Sequence, residues 1–159
     1  MFAGAAFAGD GALRLTYRIA GADALRIPPA APPAPADGLW QHTCCEAFVA
    51  AVDAVEYREF NLSPSGRWAV YRFTACRERD AAWQAPAAPT IAMHHNGDAL
   101  ELAATLPAAL LPAGGTLDLS LTVVAEDLSG AMSYWAPAHA GDRPDFHQRN
   151  SFTLRLERP

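Results

Sequence analysis

Leu117-Asp118-Leu119-Ser120-Leu121-Thr122-Val123 alternates apolar and polar residues without a break. Successive side chains of an extended strand point to opposite faces, so this period of two puts the aliphatic side chains together on one face. Leu13-Arg14-Leu15-Thr16-Tyr17-Arg18-Ile19 repeats the pattern, and so does Phe152-Thr153-Leu154-Arg155-Leu156; Leu100-Glu101-Leu102-Ala103-Ala104 follows it more weakly. Each predicts a strand with one face in a core and one in water. Helical spacing has one foothold, Pro107-Ala108-Ala109-Leu110-Leu111. It starts with Pro, which a first helical turn accepts, and stops before Pro112, so a single turn is expected there.

Turn chemistry divides the strands. Asn96-Gly97 marks a two-residue hairpin between Ile91–His95 and Asp98–Ala104. Asp10-Gly11 marks another between Phe2–Ala8 and Ala12–Ile19. Ser63-Pro64-Ser65-Gly66 has Pro and Gly where a type I turn takes them, joining Glu56–Leu62 to Arg67–Phe73. Five prolines between Ile27 and Asp37 rule out a central strand, because Pro has no N–H to donate, and leave a surface connection. The expectation is one all-β domain over residues 1–159. It is an antiparallel two-sheet β-sandwich, jelly-roll or immunoglobulin-like, with about nine or ten strands and at most one short helical turn.

Composition narrows function by exclusion. The formal net charge is −5, lysine is absent and arginine forms no run, so no phosphate-binding surface and no nucleic-acid partner is expected. No stretch approaches the roughly 20 apolar residues that span a bilayer. The opening Met1-Phe2-Ala3-Gly4-Ala5-Ala6-Phe7 lacks the basic start of an export signal, and a cytoplasmic domain beginning at Met1 is expected. Cys44, Cys45 and Cys76 are odd in number and two are adjacent, which suits no disulfide framework.

Three segments break the simple alternation. In Leu39-Trp40-Gln41-His42-Thr43-Cys44-Cys45-Glu46-Ala47-Phe48-Val49, an extended chain would align Trp40, His42, Cys44 and Glu46. Tyr57-Arg58-Glu59-Phe60-Asn61-Leu62 runs through the Ser63–Gly66 turn into Arg67-Trp68-Ala69-Val70-Tyr71-Arg72-Phe73, with Glu59 and Asn61 on one face. The third is Ser133-Tyr134-Trp135-Ala136-Pro137-Ala138-His139, followed by Asp145-Phe146-His147-Gln148-Arg149-Asn150. Tyr134 to His147 is long enough to fold over a sheet edge.

Cys-x-Glu-x-Phe after a tryptophan, then Tyr-x-Glu-Phe-Asn-x-Ser-Pro-Ser-Gly-x-Trp, resembles the DOMON-like superfamily. That superfamily includes family 9 carbohydrate-binding modules and haem-binding cytochrome domains. The match is nearest to a bacterial stand-alone group sometimes encoded beside a cell-wall precursor enzyme. The resemblance implies a sandwich with a ligand site on one concave face, and leaves the ligand open.

The residues themselves suit a saccharide. Pyranose rings offer apolar C–H faces and a rim of hydroxyls, which call for aromatic platforms beside hydrogen-bonding side chains. The candidate ligand-binding residues are Trp40, His42, Glu46, Glu59, Asn61, Trp68, Arg72, Tyr134, Trp135, His139 and His147. Trp40, Glu46, Glu59, Asn61, Arg72, Trp135 and His147 are expected to converge on one surface. Two alternatives stay open: a haem-binding domain using Met93, Met132, His94, His139 or His147, and a structural or interaction domain in which Glu46 or Glu59 merely pairs with Arg72. No cofactor and no metal is expected; His42 with Cys44 falls short of a metal site. No nucleophile–base constellation is recognisable, so no catalytic residue is assigned and a non-catalytic module is expected.

Thiol titration of denatured, unreduced protein is expected to find all three cysteines free. A single reactive thiol would mean that two are paired.

Overall fold

The computed structural model describes residues 1–139, 141 and 144–159. It contains eleven strands: β1 Phe2–Phe7, β2 Leu13–Ala20, β3 Cys44–Ala51, β4 Tyr57–Leu62, β5 Trp68–Ala75, β6 Glu78–Arg79, β7 Thr90–Asn96, β8 Ala99–Leu106, β9 Thr116–Glu126, β10 Met132–Trp135 and β11 Leu154–Glu157. They form two antiparallel sheets. The smaller has the order β1-β2-β8-β7, and the larger β10-β9-β3-β4-β5-β6 with β11 also paired to β9. The sandwich expectation holds, with one or two more strands than the spacing suggested.

The alternating residues build the core between the sheets. Leu13, Leu15, Tyr17 and Ile19 of β2, with Leu100 and Leu102 of β8, meet Cys45, Ala47 and Val49 of β3, Phe60 and Leu62 of β4, and Leu117, Leu119, Leu121 and Val123 of β9. Tyr17 crosses the core and donates its hydroxyl proton to the backbone carbonyl of Glu46 at 2.7 Å, tying the two sheets together.

Local chemistry places most turns where expected. The chain reverses at Asp10-Gly11, where Gly11 takes a φ of 78°, and at Ser63–Gly66, where the Gly66 N–H donates to the Ser63 carbonyl at 3.0 Å. The second hairpin is shifted by one residue. Asn96 pairs with Ala99, so Gly97-Asp98 form the loop and Asn96 ends β7. Gly97 carries the positive φ, which decides which residue sits first in the loop.

Four expectations need correction. Helical turns number four among the described residues, all 3-10: Ala22–Ala24, Leu39–Gln41, Ala108–Leu110 and Arg149–Ser151. The turn at Leu39–Gln41 means that residues 39–49 are not one extended strand; β3 starts at Cys44, and Trp40 does not share its pleat. The turn at Arg149–Ser151 delays the last strand to Leu154 and frees Phe152 to pack elsewhere. Finally, the polar residues of β9 are not in water: Ser120 and Thr122 are fully buried. β2 alternates buried and exposed as anticipated, whereas β3 and β4 are buried on both faces.

The second covering layer comes from the chain between β10 and β11. Both strands pair with the same edge of β9, β10 against Val123–Glu126 and β11 against Thr116–Leu119. Residues 144–147 and Phe152 of that segment lie on the outer face of the large sheet. There Phe146 and Phe152 join Phe48, Tyr57, Tyr71, Phe73 and Val124 in a second apolar cluster. Among the described residues, no helix is long and apolar enough to cross a membrane.

Leu119 is fully buried in the central core. Leu119→Asp buries an unpaired carboxyl and is expected to cost at least about 3 kcal/mol in urea unfolding. A wild-type midpoint would mean that the β9 register is wrong.

Candidate functional site

A cleft of about 840 Å³ opens on the outer face of the large sheet. Its floor is laid by cross-strand register. Glu46 lies opposite Asn61, Phe48 opposite Glu59, and Glu59 opposite Tyr71, so these side chains share one face. Phe73, two residues beyond Tyr71, and Val124 of β9 extend the floor. The walls are Asp37–Gln41, where the proline-rich connection ends, the β5–β6 turn with Arg77 and Arg79, Tyr134 of β10, and residues 144–147.

The cleft sits on an aromatic bed. Tyr57 stacks on Phe73 at 4.8 Å, and His147 packs edge-on against Phe73 at 5.0 Å and Phe48 at 5.2 Å. Two wall aromatics remain open to solvent: Trp40 is 52% and Tyr134 44% exposed. Such surfaces are available for stacking against a ligand. Tyr71 is capped by the Arg79 guanidinium, 4.0 Å from its ring centre, and donates its hydroxyl proton to Asp37 at 2.6 Å.

Two carboxyl groups lie in the floor with little access to water, Glu46 at 3% and Glu59 at 6% exposure. Thr122 donates to Glu46 Oε2 at 3.2 Å, and Asn61 Nδ2 donates to Glu59 Oε1 at 2.6 Å. Burial, reinforced by the neighbouring Glu59, pushes the Glu46 carboxyl up to about 8. Burial pushes Glu59 up to about 7 despite the Asn61 bond. His147 lies with Nε2 3.8 Å from Glu59 Oε2, yet burial lowers its pKa to about 4, so it faces Glu59 as a neutral ring. The Tyr57 hydroxyl accepts from the Arg77 N–H at 3.1 Å and lies 2.7 Å from His147 Nδ1. In the tautomer with its proton on Nε2, the ring accepts the Tyr57 proton at Nδ1 and turns its own N–H toward Glu59. Asp145 accepts from the Arg77 guanidinium at 2.8 Å and from the His147 N–H at 3.1 Å, fixing the loop over the floor.

The structure gathers only part of the expected set. Trp40, Glu46, Glu59, Tyr134 and His147 line the cleft. Asn61 shares that face but is wholly buried within it, and orients Glu59. His42 lies outside the cleft, with Nδ1 2.7 Å from Glu126. Trp68 packs on the opposite face, against the central core. Arg72 does not reach Glu59. It shares the parity of Val70, not Tyr71, and binds Glu56 at 2.6 Å and Asp80 at 3.6 Å. Trp135 follows Tyr134 in β10 and therefore faces the other way, into a smaller groove with Met1, Ala3, Leu121 and Leu154. His139 approaches Phe146 at 6.2 Å but does not line the cleft. Of the haem candidates, Met93 and His94 belong to β7 in the other sheet. Among the described residues, no group of three His, Cys, Asp or Glu could hold a metal ion.

Tyr71, Phe73, Asp37, Arg77, Arg79 and Asp145 were missed. Tyr71 and Phe73 were within reach of sequence reading: pairing Leu62 with Trp68 across the turn puts them, and not Arg72, beside Glu59. Asp37, Arg77 and Asp145 sit in connections whose paths no periodicity reveals.

No protein-family model and no curated protein matches the chain. Among solved structures, it resembles a candidate carbohydrate-binding protein from Bacteroides uniformis ATCC 8492, with a TM-score of 0.68 and 20% identity over 92% of this chain and 72% of that one. It also resembles a family 9 carbohydrate-binding module from Caldicellulosiruptor kristjanssonii in complex with glucose, with a TM-score of 0.56 and 14% identity over 93% of this chain and 71% of that one. The fold is thus that of a carbohydrate-binding-module-like β-sandwich.

The buried carboxyls give a signed pH dependence. A folded-state pKa above the unfolded value means that the native state holds its proton longer. Stability is therefore full below about 4.5 and falls as pH rises toward 8. His147, with its pKa lowered, acts oppositely and costs stability as pH falls from 6.5 toward 4. Glu46→Gln isolates the first effect. The variant is expected to exceed wild type by about 2–5 kcal/mol at pH 8 in chemical denaturation, with the gap closing toward pH 4.5. A gap independent of pH would show that Glu46 is not held protonated.

Proposed function

We propose that the chain binds a small polyhydroxylated ligand, a saccharide, in this cleft and carries out no reaction on it. The observation that supports this best is the pairing of open aromatic walls, Trp40 and Tyr134, with hydrogen-bonding carboxyls in the floor. A sugar ring stacked on a wall would present its hydroxyls to Glu59 and Glu46. The likeness to a glucose-bound module supports the same ligand class. The finer placement in the DOMON-like superfamily, a cytoplasmic location and the absence of a cofactor belong to this reading.

A glycan panel followed by calorimetry and tryptophan fluorescence tests it. Binding is expected in the range of about 1 μM to 1 mM. Trp40→Ala should weaken it about tenfold and abolish most of the fluorescence change, whereas Arg72→Ala and Trp135→Ala, on the opposite face, should leave it unaltered. A hit that depends on Trp135 and not on Trp40 would move the site to the smaller groove.

A further inference from the structure

The charges around the cleft do not balance in a symmetrical way. Arg77 is matched by Asp145 at 2.8 Å, and Arg79 by Asp37 at 3.6 Å. That leaves Glu46 and Glu59, diagonal neighbours on β3 and β4, with no cationic partner among the described residues. Thr122 is the one side-chain donor to the Glu46 carboxyl, and Asn61 the one hydrogen-bonding donor to Glu59, among those residues. Both carboxyls line the cleft while being more than nine-tenths buried, so each has acceptor capacity that the protein does not fill. Arg79 and Arg77 act on Glu59 through space while each is paired with its own aspartate, and the remaining titratable groups add no positive charge. Cys44 and Tyr57 are held neutral by burial, as is Tyr71 on β5, and the His147 ring is neutral.

From this geometry we propose that the cleft selects a ligand carrying a protonated amine, an amino sugar within the saccharide class, over its neutral or N-acetylated counterparts. The proposal rests on the saccharide reading for the ligand's frame and adds the charge. An ammonium group offers three N–H donors that two adjacent carboxylates can share, and charge-assisted bonds in a poorly hydrated site are stronger than neutral ones. A neutral hydroxyl leaves both carboxyls protonated and gains only ordinary hydrogen bonds. A calcium ion needs six or more oxygen ligands, and among the described residues no group of three His, Cys, Asp or Glu could hold a metal ion. Binding the ammonium favours the ionised carboxyls, so protons leave the protein as the ligand enters.

The experiment is calorimetry at about pH 6.5, where a sugar amine is protonated, with glucose, glucosamine, N-acetylglucosamine and propylamine. Glucosamine is expected to bind about tenfold or more tightly than glucose or N-acetylglucosamine, with proton release read from the buffer dependence of the heat. The double variant Glu46→Gln, Glu59→Gln should lose that preference and the proton release. Equal affinity for the three sugars overturns the inference and leaves the saccharide reading standing. Binding of propylamine without any sugar upholds the amine selectivity and overturns the saccharide reading. No binding by any of the four overturns both.

Discussion

Phe146 and Phe152 close over Phe48, and the rest of the functional face depends on that contact. Their rings lie 6.2 and 5.9 Å from the Phe48 ring. Burying an aromatic side chain is worth roughly 2–3 kcal/mol, enough to hold residues 144–152 against the outer face of the larger sheet. Once they are held there, β3, β4 and β9 have both faces covered. The cleft is the part of that face that these residues leave open, and His147 is carried into it as the neighbour of Phe146.

Covering a mixed face traps polar groups that would otherwise be solvated. Asn61 and Thr122 satisfy part of Glu59 and Glu46, and Tyr57 secures His147. The two carboxyls remain costly to ionise, so the native state holds protons that an open chain would release. A face tuned for stability alone would carry apolar residues at these positions. Under the proposed function, that cost is what a bound ligand would relieve.

The smaller sheet contributes at a distance. It presents β2 and β8 as a rigid apolar backing, and Tyr17 reaches through to the backbone of Glu46 itself. The strand bearing the most perturbed carboxyl is therefore pinned by pairing on both edges and by a hydrogen bond from the opposite sheet. Such support holds the floor of the cleft in one geometry.

The sequence by itself determined the all-β class, the alternating core positions of β2 and β9, and the turns at Asp10-Gly11 and Ser63–Gly66. These depend on nearest-neighbour chemistry and a period of two, both local. It also pointed to Glu46, Glu59, Trp40, Tyr134 and His147, because charged and aromatic residues interrupting a strand pattern are visible one at a time. Tertiary structure alone decided which of the candidates meet. Arg72 and Trp135 each sit one residue from a side chain in the cleft, and a single step along a strand reverses the face. Whether β9's polar residues meet water or protein depended on where a loop some thirty residues downstream would settle. That choice was made by packing between Phe48, Phe146 and Phe152, which no periodicity within any one segment can register.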